Sequence, residues 1–470
     1  MNDRPAEIGV VGLGTMGAAL ALNLAENGFR IAVTNRTPER IGEFIAEAGK
    51  LAEQIIPAKK IQDLVASLAK PRAILLMVPA GDAVDGQIAT LAPFLERGDL
   101  IIDAGNSNFR DTERRRAELE KRQLMFLGVG VSGGEAGARH GPSIMAGGSA
   151  EAWRRVSKYL LAIAARYDDE PCAALVGPGG SGHFVKTIHN GIEYADMQMI
   201  AEAYGVLRDG MNLSARGISE VFTRWNEGRL KSYLIEITAK VTAAVDVETN
   251  QPVIDIILDR AKQTGTGRWT AIEAQNLGMA ASAIEAALLA RNLSAQMEAR
   301  WEGKNIFGSA IHHLTRGDLD VDTLEQALIS GKIICYSQGF GILAAASSEY
   351  RWSLDLAQIA RIWRNGCIIR SAMLDDMARA FEADGSTALM FAPFFAKSLK
   401  QNRNSLRRAV SVCAANGLGA PALAAALFHF DLMRTERSTA NLIQAQRDFF
   451  GAHSFERIDK PGAHHGPWAT

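Results

Sequence analysis

No two of the four cysteines, Cys172, Cys335, Cys367 and Cys413, stand in a CxxC spacing. That excludes a zinc ribbon or thioredoxin-like motif and fits buried thiols in a reducing compartment. Paired histidines occur only as His312-His313 and His464-His465, which read as surface residues, so no metal site is expected. There is no excess of charge. Lys and Arg number 51 against 52 Asp and Glu, a net charge of −1, which argues against a polybasic nucleic-acid or membrane binder. No charge-free run approaches a membrane span, and the start "MNDRPAEIGVVGLG" lacks the basic and apolar regions of a signal peptide. A soluble cytoplasmic protein is expected. Low-complexity blocks and short repeats are also missing.

What is present is a chain of 470 residues, 47% hydrophobic, long enough for two or three domains. The first part alternates apolar runs with helical stretches. "IGVVG" (8–12), "RIAVTN" (30–35), "AILLMVP" (73–79), "LIIDAGN" (100–106) and "LMFLGVGV" (124–131) read as strands buried on both faces. "AALALNLAENG" and "DTERRRAELEKR" read as intervening helices. This rhythm predicts a doubly wound α/β domain of Rossmann type over residues 1–180. The Gly/Pro cluster "VGPGGSGH" marks the boundary. Beyond it the composition turns to Ala, Leu, Met and Glu, predicting a large all-α domain over 181–440. The aromatic, Gly/Pro-punctuated end predicts an irregular tail over 441–470.

Gly12, Gly14 and Gly17 form G-x-G-x-x-G directly after the first strand, framing Leu13, Thr15 and Met16. Glycines there allow backbone N–H groups to approach a pyrophosphate at a helix N-terminus. Strand two ends in Asn35, Arg36 and Thr37 with no carboxylate. An acidic residue would bond the ribose of NAD, whereas a guanidinium suits the 2′-phosphate of NADP. NADP is therefore the expected cofactor. Loops after the other strands bring Val78, Ala80 and Asn106 toward the same crevice.

The stretch "GHFVKTIHNGIEYADMQ" carries Lys186, His189, Asn190, Glu193 and Tyr194 on one helical face. Val185, Ile188, Ile192, Ala195 and Met199 follow the opposite face and suit a core contact. A solvated face would favour Glu, Lys and Gln over His, Asn and Tyr. A desolvated lysine can act as a base and a buried glutamate as an acid, so the pair suits proton transfer at two atoms of one substrate. The patch "VSGGEAGARHGPS" adds Ser132, Gly133 and Gly134, whose hydroxyl and N–H groups suit a carboxylate.

On "VGLGTMG", "NRT", "IIDAGNS", "GVSGGEAGARHGPSIMAGG", "GHFVKTIHNGIEYADMQMIAEAY", "GTGRWT" and "QRDFFGAHSFE", the chain closely resembles the 6-phosphogluconate dehydrogenases. These are decarboxylating NADP enzymes of the pentose phosphate pathway. The resemblance implies Lys186 as general base and Glu193 as general acid. It implies substrate contacts from Asn106, Ser132, Gly133, Gly134, His189, Asn190, Tyr194, Thr266 and Arg291. It also implies a homodimer in which Arg447 and His453 reach the partner's site from the tail. Pro79 and Thr264 stand where the family usually has lysines, and Ala104 where it has glycine. Two alternatives stay open at this level. One is a related β-hydroxy acid dehydrogenase with a non-phosphorylated substrate. The other is a non-catalytic NADP-binding sensor.

Overall fold

The computed structural model describes residues 4–262 and 265–468; Thr264 lies outside them. The first domain is built on an eight-stranded sheet. Its strands are β1 (Ile8–Val11), β2 (Ile31–Thr34), β3 (Ile55–Pro57), β4 (Ala73–Leu76), β5 (Leu100–Asp103), β6 (Met125–Val131) and β7 (Ile144–Gly148), closed by Ala173–Gly177. A small hairpin, β8 (Arg166–Tyr167) and β9 (Glu170–Pro171), precedes that last strand, which is β10. The spatial order is β10-β7-β6-β5-β4-β1-β2-β3. Strands β1 to β6 run parallel, β7 pairs antiparallel to β6, and β10 runs parallel to β7. The order reverses between β1 and β4, so a ligand crevice opens at their carboxyl ends.

All five expected strands form; β1, β2, β4 and β5 end before their motifs do, and β6 runs to the end of its own. Met77–Gly81 and Ala104–Ser107 leave the sheet as bends at the carboxyl edge. Strands β3, β7 and β10 were not expected. "IIP" is very short. "IMAGG" is glycine-rich and has a flexible look in sequence. "AALVG" runs into the Gly/Pro cluster.

The reversal of β7 and β10 has a topological consequence. Strand β10 delivers the chain to the edge of the sheet where β1 to β6 begin. The helix Ser181–Gly205 then runs back alongside β6 toward the carboxyl edge. Glycines make this approach possible. A Cβ on Gly182 would meet the Gly128 carbonyl and the Gly147 amide at 2.5 Å, and one on Gly130 would collide with the Lys186 side chain. Gly128 and Gly130 lie two apart on β6, hence on one face.

The second domain is helical. Its longest element, Val321–Glu349, has 29 residues and is apolar enough by composition to cross a membrane, but 89% of that apolar stretch is buried inside the domain. Gly331, Cys335 and Gly339, spaced four apart, face the Ser181–Gly205 helix. A Cβ on Gly331 would meet Met199, the Cys335 thiol reaches the Ile192 carbonyl at 3.7 Å, and a Cβ on Gly339 would strike Ile192. Small residues in this row let two helix backbones draw close.

The tail is more regular than its sequence suggests. A helix, Ala440–Gly451, leads into a hairpin of β11 (Phe455–Glu456) and β12 (Ala463–His464). Buried Asp448 organises it. Its carboxylate accepts from the Ser454 amide at 2.9 Å, His465 Nδ1 at 2.6 Å, the Gly466 amide at 2.9 Å and Trp468 Nε1 at 3.0 Å. Four donors on one carboxylate hold a segment with little apolar core of its own.

Glu202 plays a comparable part inside the helical domain. It accepts from the Ala422 and Leu423 amides at 2.7 and 2.9 Å, satisfying the first turn of the helix Pro421–Leu432. Glu202→Ala should lower stability by about 1–3 kcal/mol, read as a lower urea midpoint. Burial also holds this carboxyl up at about 7, above its ordinary 4.5. The folded chain thus binds a proton that the unfolded chain has released. This contribution is present at low pH and is lost as pH rises through that window. Glu202→Gln should therefore flatten the pH dependence of the midpoint between about pH 5 and about pH 8; parallel curves for the two proteins would contradict this assignment.

Candidate active site

The glycine loop turns tightly where the sequence demands it. Gly12 has φ +100°, and a Cβ there would strike the Met77 carbonyl at the end of β4. Gly17 lies under the Gly12 carbonyl, while a Cβ on Gly14 would point into open space. Leu13 is buried, and its amide donates to Asn35 Oδ1 at 3.0 Å. Asn35 Nδ2 donates in turn to the Thr37 carbonyl at 3.2 Å. Asn35 therefore ties the loop to the end of β2. A cavity of about 780 Å³ lies here, lined by Leu13, Gly14, Thr15, Asn35, Thr37 and Arg40 among others.

Arg36 is exposed, standing in the chain between Asn35 and Thr37 of the cavity lining. Arg40 is a residue the sequence reading missed. Its Nε donates to the Leu13 carbonyl at 3.1 Å, and its guanidinium pairs with Glu47 at 2.6 and 2.9 Å. Its signal was its place in the first turn of the Pro38–Ala48 helix, which follows directly on "NRT". Val78 and Ala80 occupy the bend after β4, and Met16 lies in the first turn of the helix Thr15–Glu26. Asn106 is exposed on the bend after β5, which Asp103 anchors. That carboxylate accepts from the Gly105 amide at 3.1 Å and from Ser107 Oγ at 2.6 Å. The loop, the helix N-terminus and an exposed arginine just after β2, where the sequence has Asn35, Arg36 and Thr37 and no carboxylate, together fit a phosphorylated dinucleotide.

The polar face of the Ser181–Gly205 helix meets the carboxyl end of β6. Lys186 Nζ donates to Asn190 Oδ1 at 2.7 Å and lies 3.3 Å from His189 Nδ1. His189 Nε2 lies 3.2 Å from Ser132 Oγ, and its Nδ1 lies 3.7 Å from the Glu193 carboxylate. Asn190 Nδ2 donates to Thr266 Oγ1 at 3.0 Å. Arg291 stacks over the Tyr194 ring with its guanidinium carbon 3.6 Å from the centroid. Gly133 and Gly134 follow Ser132 and open the Gly134–His140 helix. Gly133 takes φ +106°, a conformation that other residues rarely adopt, and a Cβ there would meet the Gly366 carbonyl at 2.6 Å.

The structure thus gathers Ser132, Lys186, His189, Asn190, Glu193 and Thr266 into one network, with Tyr194 and Arg291 beside it. The expected apolar face is buried throughout. The polar face, though, is not simply turned to water. Lys186 is 6% exposed and His189 fully buried. His189 also meets the edge of Trp363, a residue no sequence motif singled out. Arg447 and His453 are exposed in the tail, where Arg447 bonds Gln444 and His453 packs on Phe450. The single chain does not bring these two into the network.

Burial decides the electrostatics. It lowers the proton affinity of Lys186 against the opposing pull of Glu193. It raises that of Glu193, while Lys186 and Arg291 act the other way and Asp196 adds to the rise. It holds His189 well below its ordinary range, helped by Lys186. Burial thus shifts the amine toward its neutral form and the carboxyl toward its protonated form, against the attraction between their charges. Such an arrangement can remove a proton at one atom and return one at another.

Two family models cover the chain. The NAD binding domain of 6-phosphogluconate dehydrogenase matches residues 7–177, and the 6-phosphogluconate dehydrogenase C-terminal domain matches residues 182–468. A decarboxylating 6-phosphogluconate dehydrogenase of Synechococcus elongatus is 46% identical, over 98% of this chain and 99% of that one. An NAD(+)-dependent decarboxylating 6-phosphogluconate dehydrogenase of Bacillus subtilis is 45% identical, over 98% and 99%. The solved Plasmodium falciparum 6-phosphogluconate dehydrogenase, studied with NADP+ and with 6-phosphogluconate, superimposes with a TM-score of 0.95 at 40% identity, over 98% of this chain and 100% of that one. With both domains matched and the shared length nearly complete, this chain belongs to the 6-phosphogluconate dehydrogenase family.

Proposed function

We propose that the chain oxidises and decarboxylates 6-phospho-D-gluconate to D-ribulose 5-phosphate and CO2, reducing NADP+. The observation that carries this reading is the Lys186–His189–Glu193 face, a buried amine and a carboxyl with its side chain 20% exposed, two helical turns apart beside Ser132. Bound NADP+ supplies the hydride acceptor for C3 of the substrate. Lys186, poised as a neutral amine, takes the C3 hydroxyl proton. The resulting 3-keto acid loses CO2 because its carbonyl accepts the electron pair, and Lys186, now ammonium, protonates the enolate oxygen. Glu193 then protonates C1 of the enediol while Lys186, neutral again, takes the proton back from the enol oxygen, which leaves the ketone. Asn190, tied to Thr266, holds the lysine amine in place, and Ser132, Gly133 and Gly134 hold the substrate carboxylate. Tyr194 and Arg291 lie on the phosphate side.

Arg36 favours NADP. A family that contains an NAD(+)-dependent relative at 45% identity does not decide the cofactor by membership alone, so the residue does. The protein works as a cytoplasmic homodimer whose tails cross. Support comes from large exposed apolar side chains in both regions. Val247 and Phe307 are 97% and 87% exposed in the helical domain, and Phe449, Phe450 and Ile458 are exposed in the tail. The division into residues 1–180, 181–440 and 441–470 follows these roles.

Three outcomes test the reading. Lys186→Met should lower kcat by about 10²–10⁴-fold or more with NADP affinity retained, and the native kcat should fall at low pH as Lys186 gains its proton and at high pH as Glu193 loses its own. Near-native turnover of Lys186→Met would remove it from the mechanism. Arg36→Glu should weaken or reverse the preference for NADP over NAD in kcat/KM; an unchanged ratio would dismiss Arg36. Finally, inactive Lys186→Met and Arg447→Ala homodimers, dissociated and reassociated together, should regain part of the activity. Crossed tails place both defects in one site and leave the other whole. Confirmed heterodimers without recovery would mean that each tail serves its own chain.

A further inference from the structure

Behind the active-site face lies an ion pair that the proton transfers do not use. Lys332 Nζ donates to Asp196 Oδ1 and Oδ2 at 2.7 and 2.6 Å, with the two side chains 0% and 1% exposed. Asp196 stands three residues beyond Glu193 on the same helix, and side chains at that spacing are neighbours. Lys332 comes from the opposing helix, Val321–Glu349, within the seam of Gly331, Cys335 and Gly339. Packing alone would be served there by two apolar side chains, because a buried ion pair rarely stabilises a core more than its apolar replacement. Its presence beside a catalytic carboxyl calls for an electrostatic reason.

We propose that Asp196, clamped by Lys332, is a positioning residue of the site that sets the proton affinity of Glu193 from one helical turn away. Lys332 holds the Asp196 carboxylate by two charge-assisted bonds at full burial, and a negative charge there disfavours a second one on Glu193. The groups facing Glu193 are few. Lys186, His189 and Asp196 belong to its own helix, Arg291 to Ser282–Ser294, Tyr336 to the long helix, and Cys367 to the turn beyond Trp363. Lys186 and Arg291 favour the ionised carboxylate, and with burial Asp196 opposes them. Tyr336 donates to the Ile369 carbonyl at 2.9 Å, and burial holds the Cys367 thiol up at about 12, so neither brings a charge. Asp196 is thus the one further carboxyl in the set, and of the ion pair it is the member that acts on Glu193.

The inference rests on the reading of Glu193 as proton donor, and the test separates the two. Asp196→Asn with Lys332→Met removes both charges and leaves neither unpaired. The alkaline limb of the kcat profile, measured with 6-phosphogluconate and NADP, should move down by about half a pH unit or more. KM for both ligands should change less than about threefold, since neither residue touches them. Lys332→Arg keeps the pair and should keep the limb. A folded double variant whose limb superimposes on the native one overturns the proposal. If the double variant does not fold, Asp196→Asn with Lys332→Gln takes its place under the same criterion. Failure of both to fold would assign the pair to the core and also overturn the proposal. Glu193→Gln is the control. If it removes the limb while the charge-free pair leaves it in place, only this inference fails. If Glu193→Gln leaves the limb where it was, the reading of Glu193 fails and this inference with it.

Discussion

An amine kept out of water is the constraint around which this structure is arranged. Lys186 is buried because its helix lies directly on β6, and it lies there because β6 offers glycine where other strands offer side chains. The glycines cost strand propensity and backbone entropy. What they permit is contact between a strand and a helix backbone, with the lysine stem filling the gap a side chain would have taken. From that contact follow the lowered proton affinity of Lys186, the neutrality of His189 and the raised affinity of Glu193. Each is a consequence of desolvation, and desolvation is a consequence of packing.

The sheet topology serves the same end. Had β7 continued the parallel pattern, the chain would have left the sheet at its carboxyl edge, and a helix beginning there would run away from the cofactor loop. The antiparallel turn at β7 and the parallel return at β10 reverse the exit. The helix then arrives at the crevice with two turns of functional side chains already aligned. Asn35, Asp103 and Arg40 hold the facing loops, each through bonds to backbone atoms or neighbouring side chains.

Much of this was legible in the sequence, for identifiable reasons. Strands β1, β2, β4, β5 and β6 are apolar runs because both faces are covered, and such runs stand out. The network of Lys186, His189, Asn190 and Glu193 was legible because helical spacing fixes which side chains share a face. Strands β3, β7 and β10 were not, since an edge strand of three residues and strands rich in glycine carry no periodic signal. Trp363 and the Asp196–Lys332 pair depend on contacts between segments remote in sequence, which no local pattern encodes, and Arg40 carried only the weak signal of its place just after "NRT". The helical start of the tail was hidden by its aromatics, and its order comes from Asp448, one carboxylate whose donors lie up to 20 residues away.

The Ser181–Gly205 helix also has a mechanical meaning. Its first turns are held by sheet glycines, and its later turns form the inner wall of the helical domain against Val321–Glu349. One rigid rod is therefore shared by two cores. A hinge needs a few residues free to absorb rotation, and here the crossing between domains is continuous helix in close contact on both sides. A turn of one domain against the other would have to bend or strain this rod, whereas the bends at the carboxyl edge of the sheet can move without disturbing it.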